Sequence, residues 1–152
     1  MTTLATDGTT IAADGQVTCG DTIEDTNAKN VFRLKDGRAF GFAGCLASGF
    51  QFQWWPDNGM NLDELPTLSE DFSAVVIDGS KTVLVFDHLL RTMKMPAPYT
   101  TGSGMQYAIT AMDLGATPKE AVKAACKRDV WSSGTIRSVT VKAKDKSDTP
   151  KP

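Results

Sequence analysis

Few side chains in this sequence stand where covalent chemistry could be built. The single histidine, His88, lies in Phe86-Asp87-His88-Leu89-Leu90 behind an apolar run. A Ser-His-Asp site around it lacks the G-x-S-x-G elbow, and one imidazole cannot supply the paired histidines of a zinc site. Cys19, Cys45 and Cys126 form no C-x-x-C pattern and are isolated from one another and from the histidine, which removes zinc and cysteine-protease readings. Gly102-Ser103-Gly104 precedes a helical pattern, but no Gly-Lys-Ser/Thr follows, so it reads as a strand-to-helix turn rather than a phosphate cradle. Thr2 is more informative. Trimming of Met1 before so small a residue leaves a hydroxyl and a free α-amine on one residue. An amine with a pKa of about 7.7 to 8.0 can accept the hydroxyl proton near neutrality.

The elements that must position these groups follow from turn formers and periodicity. Asp7-Gly8, Asp14-Gly15, Cys19-Gly20-Asp21 and Asp36-Gly37 cut the first 44 residues into short strands, with a hairpin from Val31 through Asp36-Gly37 to Phe42. A short helix is expected from Cys45 to about Gln53, stopped by Trp54-Trp55-Pro56. Ala74–Ile77 and Thr82–Phe86 read as a second hairpin of buried strands. Met105 to Leu114 has helical spacing and ends at Gly115. Thr117-Pro118-Lys119-Glu120 is a capping box that opens another helix, ending near Arg128. Thr135 to Val141 closes the fold as a strand, and 142–152 reads as a polar, disordered tail. Strands, paired helices and a last strand make an α+β order.

Composition bounds the function. A chain of 152 residues, 41% hydrophobic and 22% charged, fills one domain and leaves no room for two. Sixteen Lys and Arg against 18 Asp and Glu give a formal charge of −2, so no cationic field attracts nucleic acid or anionic lipid. The opening lacks the basic-then-apolar signature of a secretory signal, and no apolar run approaches the roughly 20 residues of a membrane span. A cytoplasmic, reducing location is expected from the odd cysteine count.

Thr2-Thr3, Asp14-Gly15-Gln16-Val17-Thr18, Asn27-Ala28-Lys29, Gly41-Phe42-Ala43-Gly44 and Gly102-Ser103-Gly104, in that order, resemble the HslV family of bacterial proteasome-like peptidases. Arg128-Asp129-Val130-Trp131-Ser132 is similar to the Arg-Asp-x-x-Ser segment of proteasome β subunits, from the same N-terminal nucleophile superfamily. The resemblance covers most of residues 2–141. It implies a four-layer αββα sandwich and peptide hydrolysis through an acyl-enzyme ester on Thr2. Lys29 would then favour deprotonation of Thr2, with Asp14 holding the ammonium. The Gly44 N–H would face the oxyanion, and Ser103, Asp129 and Ser132 would orient the amine. Also implied are a homo-oligomeric ring, a peptide or unfolded-protein substrate and an AAA+ unfoldase ATPase partner. No organic cofactor is implied, though a cation held by backbone carbonyls near the C-terminal site loop is.

Two departures carry their own expectations. Cys45-Leu46-Ala47-Ser48 stands where the family has a small residue followed by Ala-Asp, and the stretch from 45 to 73 is short, which predicts a trimmed helical layer there. That trimming bears on ring contacts and ATPase docking, and leaves two rivals: a non-catalytic scaffold or regulator of the same fold, and a small-molecule amidase. Phe52, Trp54 and Trp55 are either core or an interface patch.

Overall fold

In Thr3-Leu4-Ala5-Thr6 and Thr10-Ile11-Ala12-Ala13, large and small apolar residues alternate, so each strand shows one face suited to a partner sheet and one suited to a close-packed helix. In the computed structural model, which describes residues 2–144, these segments are β1 (Thr3–Thr6) and β2 (Thr10–Ala13). They are joined by a turn in which Asp7 accepts from the N–H groups of Thr9 and Thr10. The chain continues through β3 (Val17–Cys19), β4 (Thr22–Asp25), β5 (Val31–Arg33), β6 (Ala39–Ala43) and α1 (Leu46–Asp57). Then come β7 (Ser73–Ile77), β8 (Thr82–Asp87), β9 (Thr92–Pro96), β10 (Tyr99–Gly102), α2 (Met105–Asp113), α3 (Pro118–Cys126) and β11 (Arg137–Thr140).

All strand pairs are antiparallel. One sheet has the order β10-β1-β2-β11 and the other β5-β6-β7-β8-β9, with β3 and β4 forming a separate ribbon. The period of two sorts side chains into three cores. Leu4, Ile11, Val75, Ile77 and Val83 fill the space between the sheets. Ala5 and Ala12 face the other way, against Ala108, Ala121, Val122 and Ala125 of α2 and α3. Ala74 and Val76 face outward from the second sheet, into an aromatic cluster of Phe40, Phe42, Phe52, Trp55 and Phe86 beneath α1. The layers are therefore helix, sheet, sheet, helix, as expected, with a single helix on one side.

The thin layer explains an unexpected extension. The sequence predicts that α1 stops near Gln53, yet it runs through Pro56 to Asp57. Trp55, 2% exposed, packs on Phe52 and Phe86, and its indole N–H donates to the Asn61 carbonyl at 2.9 Å. Burying that ring outweighs the one backbone bond a proline forfeits in the last turn. Phe52 and Trp55 are thus core, whereas Trp54 is 48% exposed. Two strands, β9 and β10, occupy a region the sequence presents only as the approach to a helix. The polar tail departs from expectation at its start: the Lys144 N–H donates to the Gly79 carbonyl, and its ammonium pairs with Asp78 at 2.8 Å. Residues 145–152 lie outside the described residues.

The approach of α1 to β6 depends on Gly49, because a Cβ there would enter the Phe42 ring. Replacing Gly49 by leucine should cost about 2–3 kcal/mol through overpacking, measured as a lower urea midpoint, and an unchanged midpoint would contradict this packing.

Candidate active site

Thr2 leads into β1, the strand held between β10 and β2, so the backbone that follows it is fixed from both sides. Thr3 pairs with Gly102 on one flank. On the other, the first residue after β2 extends the ladder: the Thr3 N–H donates to Asp14 Oδ1 at 2.8 Å, and the Asp14 N–H donates to the Thr3 carbonyl at 3.4 Å. Gly102-Ser103-Gly104 now has a physical reason. Gly102 has φ +97°, and a Cβ there would overlap the Thr2 carbonyl, while a Cβ on Gly104 would overlap Thr3 Oγ1. The motif makes room for the first two threonines rather than cradling a phosphate.

Ser103, Asp129 and Ser132 come together as a network. Asp129 Oδ2 accepts from both serine hydroxyls at 2.6 Å, and its Oδ1 accepts from the Trp131 N–H at 3.2 Å. Since Ser132 gives its proton to Asp129, the 2.7 Å contact between Ser132 and Thr3 must carry the Thr3 hydroxyl proton. The network therefore ties the loop after α3 to Thr3, the neighbour of Thr2.

Asp14 is buried, and no cation among the described residues pairs with it. Its carboxylate accepts from the N–H groups of Thr3, Gln16 and Ser133. Burial nevertheless dominates and pushes the carboxyl up to about 6, against those N–H groups, which favour the anion. The cause lies one residue from where the sequence reading put a lysine. Lys29 is exposed and sends its ammonium over the Phe32 ring, 4.9 Å from the centroid. Asn30 is the residue turned inward: its Nδ2 donates to Thr2 Oγ1 at 3.2 Å and to the Asp14 carbonyl at 3.1 Å. Adjacent residues of an extended segment point to opposite faces, so only one of the pair can reach Thr2. Ala28 and Asn30 are both buried around the exposed Lys29, and that alternation was the available signal.

Thr2, 4% exposed, borders a cleft of about 520 Å³. Gly44 lines the same cleft with φ +109°, in a position where a Cβ would meet the backbone of Asp71. Gln16 and Trp131 also line it, as do two of the cysteines that look isolated in sequence, Cys19 and Cys45. The Cys45 thiol is held below its ordinary range by the backbone N–H of Ser48, with help from Ala47, at the start of α1. Ser133, behind this lining, donates its N–H to Asp14 and its hydroxyl to Gln16 Oε1 at 2.6 Å. His88 does not line this cleft.

Among the described residues no group of three or more His, Cys, Asp or Glu side chains is placed to hold a metal. In the loop after α3 the carbonyls of Asp129, Val130 and Ser133 each accept one hydrogen bond, from the Ser132 N–H, Gln16 Nε2 and the Gly15 N–H respectively. No helix of the described residues is long and apolar enough to cross a membrane.

No family model and no curated protein matches the chain in sequence. Solved structures do match its fold. Thiobacillus denitrificans BPH is similar with a TM-score of 0.69 at 17% identity, over 95% of this chain and 99% of that one. The same protein in complex with epoxomicin gives 0.71 at 15% identity, over the same shares. Eukaryotic HslV from Trypanosoma brucei gives 0.67 at 21% identity, over 91% of this chain and 98% of that one. With the two facing sheets and flanking helices described above, these likenesses establish that the chain has an HslV-like, proteasome β-type fold.

Proposed function

We propose that the chain is a threonine-type hydrolase of peptide bonds, with Thr2 as nucleophile and its own amine, freed by loss of Met1, as general base. The observation that supports this reading best is the 3.2 Å hydrogen bond from Asn30 to Thr2 Oγ1 at the edge of an open cleft. The hydroxyl oxygen is fixed by an accepted hydrogen bond, while its proton has no acceptor among the described residues. That is the state a neighbouring amine needs. The Gly44 N–H is the donor on the same cleft that suits a developing oxyanion. Binding of epoxomicin by Thiobacillus denitrificans BPH, which shares this fold, agrees with the reading. Assembly of several copies belongs to it as well. The exposed rings of Phe50 and Trp54 on α1 are apolar surface that assembly would cover.

One observation favours a second reading, a non-catalytic subunit of the same fold. An asparagine carries no charge, so nothing beside Thr2 stabilises an alkoxide as an ammonium would, and the un-neutralised Asp14 disfavours one. We infer a slow nucleophile rather than an absent one, because the Asn30 hydrogen bond still fixes the position of the hydroxyl oxygen.

Three outcomes are expected. Incubation with a peptide epoxyketone should give a chain that has lost Met1 and gained one adduct on Thr2 by mass spectrometry. Thr2→Ala should give none, and a Met1-retaining, unlabelled wild type would select the non-catalytic reading. Removing the Asn30 hydrogen bond with Asn30→Ala should slow labelling about tenfold, the equivalent of about 1.4 kcal/mol, whereas Lys29→Ala should leave it unchanged. The third concerns Asp14, whose folded-state pKa of about 6 lies above its ordinary 3.8. The folded chain then binds the proton more tightly than the unfolded chain, so this contribution to stability is present below about pH 4 and lost as pH rises through about 6. Relative to Asp14→Asn, the wild type should lose about 3 kcal/mol of unfolding free energy between about pH 3.5 and about pH 7.5, followed by denaturant titration.

A further inference from the structure

Among the described residues, the lining of the cleft beside Thr2 has two carboxylates and no basic side chain. Glu24 on β4 and Asp71 just before β7 both line it, and both are exposed. Ion pairs among the described residues join Asp36 to Arg38, Asp87 to Arg91 and Asp78 to Lys144, so neither cleft carboxylate is neutralised by a described residue. Lys29, close in sequence to β4, is engaged with the Phe32 ring instead. Asp71 is also held in position. The Ser69 hydroxyl donates to its Oδ1 at 2.6 Å and is itself bonded by the Ser48 hydroxyl at 3.2 Å, while Oδ2 has no partner among the described residues. Trp131, 36% exposed, adds an aromatic surface to the lining.

Ionised oxygens and an indole together suit a cation: the carboxylates accept charge-assisted hydrogen bonds, and the ring attracts positive charge to its face. They also repel an acidic side chain, and specificity depends on that difference. The buried Thr2 hydroxyl stands on the wall of the same cleft, where it accepts from Asn30 and finds no acceptor for its own proton among the described residues. We propose that this cleft selects substrates bearing a lysine or arginine side chain, with Glu24 and Asp71 as the specificity-determining residues that receive the cationic group. Turnover of such substrates rests on the hydrolase reading of Thr2; their binding does not.

The test therefore reads binding and cleavage separately on the full-length protein. Fluorescein-labelled peptides of equal length, differing only in one central arginine, lysine, leucine or glutamate, are followed by anisotropy. Fluorogenic amides with the same four residues before the scissile bond are followed by kcat/KM. The arginine and lysine peptides should bind at least about tenfold more tightly than the glutamate peptide, with the gap narrowing as salt rises. Glu24→Gln and Asp71→Asn should each shrink that ratio about threefold, and the double variant should bring it close to one. A wild-type ratio near one, or a ratio unchanged in the double variant, overturns the proposal. Charge-selective binding without cleavage or a Thr2 adduct would remove the hydrolase reading and leave the selectivity standing. Cleavage without charge preference would do the reverse.

Discussion

The buried carboxylate of Asp14, ringed by backbone N–H groups and without a counter-cation among the described residues, organises the site end of this molecule. Asp14 receives the N–H of Thr3 from the first strand, of Gln16 from the chain leaving the second, and of Ser133 from the loop before the last. Three segments distant in sequence are thereby fixed with respect to Thr2. Three charge-assisted bonds offset part of the cost of burying the anion, and burial still leaves the carboxyl's pKa raised. The Asp129 network is the complementary tie, joining the turn before α2 and the loop after α3 to the same strand through Thr3.

The two outer faces of the sandwich solve the problem of coverage differently. On the first sheet, Ala5 and Ala12 let α2 and α3 approach closely, and small side chains suffice. On the second, one helix spans the sheet and ring volume supplies the rest. Phe40, Phe42, Phe52, Phe72, Trp55 and Phe86 stack and tilt against one another with centroids 5.3 to 6.4 Å apart. Aromatic side chains of this size bury enough surface to stand in for a second helix.

Much of this was legible in the sequence because local chemistry and long-range packing agree. The Asp36-Gly37 hairpin, the Thr117–Glu120 capping box and the continuous apolar runs of β7 and β8 each have one favoured structure. Where they disagreed, the reading failed. Pro56 is a helix breaker locally, but Trp55 gains more by burial than the helix loses. The lysine at 29 offered the charge that threonine chemistry favours, yet facing is a matter of register, and register put Asn30 inward. Cys45 and Asp71, 26 positions apart, meet at one cleft only through β6–β7 pairing, which no local pattern encodes.

The ribbon of β3 and β4 has a consequence for how the cleft behaves. It is hydrogen-bonded to neither main sheet, its β4 residues are all exposed, and its register shifts between Val17 and Thr18. A two-stranded hairpin of this kind has little stability of its own. Opening there therefore costs far less than opening β1, which lies between two partners with every residue buried. Thr2 thus sits on a stiff part of the cleft lining, while Val17, Thr18, Cys19 and Glu24 form a compliant part. Amide exchange across the cleft should be correspondingly lopsided, rapid along the ribbon and slow along the strand behind the threonine, so that one side of the site adapts to a ligand while the other holds its geometry.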